Sequence, residues 1–137
     1  MLIEDAVRKA LNELTYDGIF QIEQIIYDEK CFGNVLAVLK SSMQVDIRFI
    51  RDRGSFWCEI GQAGKWYFIE DVFSVLGIND FIQNKEFFDM IADTSKIIKA
   101  NSKKIFFAFD ARNSQNTQTK IKTYAKNRAM GIFKEAD

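Results

Sequence analysis

Apolar positions along the chain are first spaced as on a helix, then alternate as on strands, and then return to helical spacing. Over residues 2–14 an apolar side chain recurs every three or four positions, which is the repeat of one helix face. On the other side, acidic residues stand four positions before basic ones, an order that stabilises a helix. The pattern predicts a helix over residues 2–14 that ends before Asp17-Gly18.

Three segments after this helix are rich in β-branched and aromatic residues, which are typical of strands. They predict strands at residues 19–27, 34–40 and 43–50. A two-residue turn at Ser41-Ser42 would place Val38 opposite Val45 and would keep the apolar residues of the second and third strands on one face. Ser-Ser is a poor dipeptide for such a turn, so a longer loop is the alternative.

The segment RFIRDRGSFWCEIG, residues 48–61, has three consecutive charges and a glycine between two alternating apolar runs. Because side chains alternate with period two, the runs share a face only if the loop has an even number of residues. A two-residue Arg53-Gly54 turn, which would place Arg48 opposite Glu59, and a four-residue loop both satisfy this rule. Either version predicts a β-hairpin with its glycine in the left-handed region.

Helical spacing returns after a last short strand at residues 65–68. Helices are predicted at residues 69–76, 84–100, 102–112 and 117–133, with a loop at 113–116. The apolar run 105–109 fits helix or strand by periodicity alone, and the helix formers around it favour a helix. The order predicts an α+β fold in a single domain over residues 1–137: an N-terminal helix, an antiparallel β-meander of about four strands, and three or four C-terminal helices packed on the sheet.

The composition is that of a folded domain without a membrane segment. Hydrophobic residues make up 47% of the chain and include 13 Phe, enough to fill a core. No run approaches the roughly 20 apolar residues that span a bilayer. Glu4 and Asp5 stand where a signal peptide would carry basic residues. We therefore expect no membrane association and a cytoplasmic location.

Few of the residue types that carry catalysis or bind metals are present. The chain has no histidine, and Cys31 and Cys58 lack the CxxC spacing, so a zinc site with its roughly four ligands is not expected. Without histidine, the commonest general base and the usual nucleophile arrangements are missing. We expect no enzyme activity, no cofactor and no metal, and we favour buried free thiols over a disulfide.

Opposite charges are segregated along the chain although its net charge is zero. Residues 1–94 contain 9 basic and 16 acidic residues, a net charge of −7, and residues 95–137 contain 10 and 3, a net charge of +7. Such a split predicts either an acidic and a basic surface on one domain or mutual neutralisation within the fold.

Trp57 is the most informative single candidate for an interface. By strand alternation it shares a face with Arg48 and Glu59, and tryptophan and arginine are over-represented at binding hot spots. Ile50 and three apolar residues of the second strand are predicted on this face as well: Val35, Ala37 and Leu39. A core position under a covering helix is therefore the alternative, and Trp66 beside a glycine loop has the same two interpretations.

The N-terminal helix is followed by the stretches FGNVLAVL, DIRFIRDRGSFWCEIG and WYFIEDVFSVLG, a series that covers roughly residues 1–77. This series resembles small bacterial immunity proteins encoded beside polymorphic or contact-dependent-inhibition toxins. The resemblance implies a protein that binds one cognate toxin domain, often a nuclease, and blocks it in the cytoplasm. It carries over no catalytic residues, and the chain departs from the family in lacking strong overall acidity.

The predicted function is therefore immunity by steric and electrostatic blockade of a toxin domain. The candidate contacts are Asp28, Glu29, Arg53, Trp57, Glu59, Trp66, Glu70 and Asp71. The alternative is a nucleic-acid-associated accessory protein that uses the basic last helix. Its candidates are Lys120, Lys122, Lys126 and Arg128. No aromatic interleaving or nucleic-acid motif accompanies them, so a solvated helix face is favoured and nucleic-acid binding is not expected.

Overall fold

A five-stranded antiparallel sheet forms the centre of the molecule. The computed structural model describes residues 2–31, 33–80 and 86–131. The strands are β1 (Phe20–Asp28), β2 (Asn34–Ser41), β3 (Asp46–Asp52), β4 (Ser55–Gln62) and β5 (Lys65–Phe68), and they pair in the order of the sequence. The predicted meander is confirmed, with the short run KWYF as its fifth strand.

The helices precede and follow this sheet, as the α+β prediction requires. They are α1 (Ile3–Ala10), α2 (Asn12–Thr15), α3 (Ile69–Leu76), α4 (Phe87–Ala100), α5 (Ser102–Ala108) and α6 (Ser114–Met130). The predicted helix over residues 2–14 is thus interrupted at Leu11, and the ambiguous run 105–109 is helical up to Ala108. Two parts of these predictions lie outside the described residues: residues 84–85 of the helix predicted at 84–100, and residues 132–133 of the helix predicted at 117–133.

The predicted loop at residues 113–116 is wrong, because α6 begins at Ser114. The turn before it is closed by Asp110, whose side chain accepts hydrogen bonds from the backbone N–H groups of Arg112 and Asn113 at 3.0 and 2.8 Å. Polar side chains here also bond to the sheet: the Ser114 hydroxyl donates to Gln62 Oε1. Tertiary hydrogen bonds therefore begin the helix within a stretch whose composition is typical of a loop.

The two-residue Ser41-Ser42 turn is also wrong. In the structure Val38 lies opposite Arg48, not Val45. The Ser41 hydroxyl closes a longer loop: it accepts from the Val45 N–H at 3.1 Å and donates to the Val45 carbonyl at 2.6 Å, and Gln44 adopts a positive φ of 63°. Because the change in register is odd, it exchanges the two faces of β2 relative to β3.

The β3–β4 hairpin has the two-residue turn at Arg53-Gly54, which excludes the four-residue loop. Asp52 pairs with Ser55, and Arg48 lies opposite Glu59. Both turn residues have positive φ, 52° for the arginine and 85° for the glycine, as a type I′ turn requires. The Arg53 N–H donates to Asn34 Oδ1 at 2.9 Å, which ties this turn to the start of β2.

One face of the sheet is buried under the helices. Its central residues are 2% exposed or less: Val35, Ala37, Leu39, Ile47, Phe49, Cys58 and Ile60. The prediction that the first three share a face with Trp57 is therefore wrong, and the register of β2 is the reason. On this side α1 and α2 contact α4, and α3 contacts α6. Gly77 ends α3 in the left-handed conformation, which agrees with the helix predicted over residues 69–76.

Candidate partner-binding face

The second face of the sheet, which we call the open face, carries a row of apolar side chains across four strands. Direct cross-strand pairs join its members: Ile26 with Leu36, Leu36 with Ile50, and Ile50 with Trp57. The members of this apolar row are partly or fully exposed, and Ile26 is 45% accessible. Cross-strand neighbours have side chains in contact range, so the row forms one continuous apolar surface at right angles to the strands.

A salt bridge lies beside the apolar row on the central strands. Arg48 donates from Nε to Glu59 Oε1 at 2.5 Å. The Trp57 indole N–H donates to the other carboxylate oxygen, Oε2, at 2.9 Å. Glu59 is only 9% exposed, and a carboxylate that has lost most of its water requires such partners. The bonds in turn hold the indole ring of Trp57 in place on the open face.

Trp66 forms the next part of the open face towards the β4–β5 turn. The Arg48 guanidinium lies over its ring, 4.2 Å from the centroid, a distance typical of a cation–π contact. The ring packs against Gly61, where a Cβ atom would lie 2.6 Å from Trp66 Cε3. Glycine at this position is therefore required by the tryptophan that packs on it.

The open face is acidic. Its salt bridges and the pocket over the apolar row contain three basic residues, Lys40, Arg48 and Arg51, and five acidic ones: Glu23, Asp28, Asp46, Asp52 and Glu59. Lys40 bridges Asp46 at 3.0 Å and Glu23 at 3.7 Å, and the carboxylate of Asp46 holds the pKa of Lys40 above its ordinary value. The formal balance of these groups is −2, in contrast to the basic helices of the C-terminal half.

Trp57 separates two shallow pockets. One, of about 430 Å³, lies over the apolar row towards the strand ends, where Asp28 and Asp52 border it. The other, of about 450 Å³, is lined by Trp57, Phe68, Glu70, Asp71 and Arg128. Volumes of this size are in the range of small-molecule and side-chain binding sites.

The structure brings together four of the predicted contact residues, Trp57, Glu59, Glu70 and Asp71, around the second pocket and its wall. Asp71 is 2% exposed and receives two hydrogen bonds of 2.8 Å from Arg128. Its charge is therefore already balanced within the chain. Glu70 is exposed at the pocket edge.

Trp66 lies on the open face beside Arg48, and the other three predicted contacts, Asp28, Glu29 and Arg53, lie at or next to turns. The Asp28 carboxylate accepts hydrogen bonds from the backbone of Lys30 and Cys31 at 3.1 and 3.2 Å, and it caps the β1–β2 turn. Glu29 in the same turn and Arg53 in the β3–β4 turn are exposed. The prediction that Ile50 shares a face with Trp57 is confirmed. Sequence reasoning missed three members of the surface: Ile26, Leu36 and Phe68.

The residues proposed for nucleic-acid binding do not form one patch. Lys120, Lys122 and Lys126 are exposed on α6. Since a helix turns about 100° per residue, the second and third share a side while the first points elsewhere. Arg128 bonds with Asp71 and packs near the Phe68 ring. The basic helix thus offers two neighbouring lysines rather than a surface.

The described residues contain neither a cluster of metal-ligating side chains nor a membrane-spanning helix. Among residues 2–31, 33–80 and 86–131, no group of three or more cysteine or carboxylate side chains could hold a metal ion. In the same ranges, no helix has both the length and the apolar character that crossing a membrane requires. Both cysteines are unpaired thiols, Cys31 exposed and Cys58 buried.

Comparison with family models, with curated protein sequences and with solved structures gave no match to the chain. The resemblance to immunity proteins is therefore a prediction from the sequence stretches themselves, and the function is argued from the open face.

Proposed function

We propose that the chain is a non-enzymatic protein-binding module that neutralises a cognate bacterial toxin domain, such as a nuclease, by covering it with the open face. The observation that carries the proposal is the apolar row that ends on the hydrogen-bonded ring of Trp57. The resemblance of residues 1–77 to immunity proteins supplies the class of partner and the cytoplasm as the place of action.

The open face has the composition of a binding hot spot. Its centre combines a tryptophan and an arginine with β-branched and leucine side chains, and charged groups lie around them. Tryptophan and arginine dominate binding energy when they are surrounded by contacts that exclude water. The indole of Trp57 is fixed by Glu59, so little side-chain entropy is lost on binding.

Charge supports a basic partner. The formal balance of −2 on the open face would attract a positively charged domain and raise the rate of association at low salt. A nuclease exposes such a surface because it must bind phosphates. The acidic face would then cover the substrate site of the toxin.

The test is co-expression with the toxin domain encoded beside the gene of this protein. We expect rescue of growth and co-purification, and we expect Leu36→Lys and Trp57→Ala to weaken the affinity at least tenfold, the usual effect of losing a hot spot. The matched control is Phe107→Ala, which removes an aromatic side chain that is 68% exposed on α5. This helix packs on the face of the sheet that is buried under the helices, where Phe106 stacks on Phe20.

Two results would refute the proposal: no rescue and no co-purification by the unchanged chain, or full affinity of both open-face variants when circular dichroism shows them folded. The nucleic-acid alternative is tested by titrating labelled DNA and RNA at low and high salt. Salt-sensitive binding that is lost in Lys122→Glu/Lys126→Glu and retained in Trp57→Ala would favour it instead.

A further inference from the structure

The pocket between β4, β5 and α3 combines aromatic walls with a net negative charge. Trp57 and Phe68 supply the walls, and the Phe68 side chain is 47% exposed. Asp71 and Arg128 neutralise each other through two hydrogen bonds. Glu70 forms no hydrogen bond or ion pair with another described residue and lies exposed at the edge. The pocket therefore has a net charge of −1 from its lining residues.

Aromatic rings elsewhere on this molecule already receive guanidinium groups. Arg48 lies 4.2 Å from the centroid of Trp66, and Arg128 lies 6.0 Å from that of Phe68, on the rim of this pocket. No cation among the described residues lies over the ring of Trp57, which is held in place by Glu59. The indole face is the strongest cation–π acceptor among the side chains, and here it lines the same pocket as the exposed carboxylate of Glu70.

We propose that this pocket receives an arginine side chain of the partner protein, with the guanidinium against Trp57 and its charge facing Glu70. A planar guanidinium can stack on an indole and bond to a carboxylate at the same time, which the compact, strongly hydrated ammonium of lysine does less well. The pocket is the site on the open face where the partner's basic character would be recognised. This inference rests on the proposed function and specifies its anchoring contact.

The test uses the isolated full chain and small probes, followed by two-dimensional ¹H–¹⁵N NMR. N-acetyl-arginine methylamide should move the indole N–H signal of Trp57 and the amide signals of residues 68–71, with half-saturation at millimolar concentration. The signal of Trp66, assigned with Trp66→Phe, should move little. The citrulline analogue has the same shape without the charge, and we expect it to bind about fivefold more weakly, the loss of one exposed cation–π contact.

Glu70→Gln should weaken the arginine probe about threefold, the scale of an exposed charge pair, and Trp57→Leu should abolish the shifts at residues 68–71. Glu13→Gln removes another exposed acidic group, on α2, and should change nothing. Three results would each overturn the assignment. They are equal binding of the arginine and citrulline probes, shifts centred on Trp66, and no shift at 50 mM probe, a limit of about fiftyfold above a millimolar affinity.

Failure of this inference is distinguishable from failure of the proposed function. If Leu36→Lys abolishes toxin binding but the arginine probe does not move the Trp57 signal, the open face binds the toxin and the arginine assignment is wrong. If the probe binds as described but the chain neither rescues growth nor co-purifies with the toxin, the proposed toxin is wrong while the pocket retains its ligand chemistry.

Discussion

Replacing Gly61 with alanine tests whether the Trp66 ring is built against the backbone of β4. The added Cβ would lie 2.6 Å from Trp66 Cε3 and 2.8 Å from the Lys65 carbonyl oxygen, whereas carbon atoms pack at about 3.5 to 4.0 Å. The ring would therefore have to move by roughly 1 Å, away from a position in which Arg48 lies 4.2 Å from its centroid. The clash makes Gly61→Ala a destabilising change.

The size of the loss follows from two opposing terms. Overpacking of this kind costs about 1 to 3 kcal/mol. Gly61 does not have a positive φ, so alanine fits the backbone and recovers about 0.4 to 1 kcal/mol through the unfolded state. We expect a net decrease of about 1 to 2 kcal/mol in the free energy of unfolding, which is roughly 3 to 10 °C in Tm for a chain of this size.

The assay is a double-mutant cycle measured by urea unfolding with circular dichroism. In a Trp66→Leu background the ring is absent, so Gly61→Ala should cost about 1 kcal/mol less than in the natural chain. Gly64→Ala is the control: Gly64 has a φ of +80° and nothing within 4 Å of its Cβ position, so its cost is conformational and should be equal in both backgrounds. Equal costs of Gly61→Ala in the two backgrounds would refute the packing argument.

Two further predictions concern a buried hydrogen bond of Gln62 and the reactivity of the two cysteines. Gln62→Leu removes the amide that donates to the Phe109 carbonyl at 2.8 Å and leaves that oxygen unpaired. We therefore expect the free energy of unfolding, measured in urea, to fall by roughly 1 to 3 kcal/mol. The control is Gln115→Leu at an exposed position of α6, which should change this free energy little. Thiol labelling of the folded chain should modify Cys31 alone, slowly at pH 7 and faster as the pH rises, because the neighbouring Asp28 carboxylate raises the pKa of this thiol through a hydrogen bond. Burial raises the pKa of Cys58 well above its ordinary range, and its modification at the rate of Cys31 would contradict the fold.

Local patterns predicted those parts of the fold that depend on neighbours in the sequence. The β3–β4 hairpin follows from period-two alternation and one glycine, and it brings Arg48, Trp57 and Glu59 onto a common face without help from the rest of the chain. The end of α3 at Gly77 is equally local. These elements were predictable because the physical rule involves residues that are close along the chain.

The apolar row was not predictable, because it depends on two departures from regular pairing. The Ser41 hydroxyl bonds to Val45 and lengthens the β2–β3 loop, which turns Leu36 towards the open face. A bulge between Ile22 and Gln24 shifts the register of β1 and places Ile26 beside Leu36. A bulge changes which face each later residue occupies, and neither departure has a clear signature in the alternation of apolar residues.

The charge split of the sequence is distributed between the two layers of the fold, and this distribution opposes pairing of the open face with a second copy. The formal balance of −2 lies on the sheet, whereas exposed lysines of α4, α5 and α6 lie in the helix layer, including Lys96, Lys103, Lys104, Lys122 and Lys126. A symmetric pair of copies joined by their open faces would bring two acidic surfaces together and bury like charges near each other, which is unfavourable. A basic partner would complement the acidic rim and cover the apolar row, so the same charge pattern that opposes self-pairing favours a positively charged partner, as the proposed function requires.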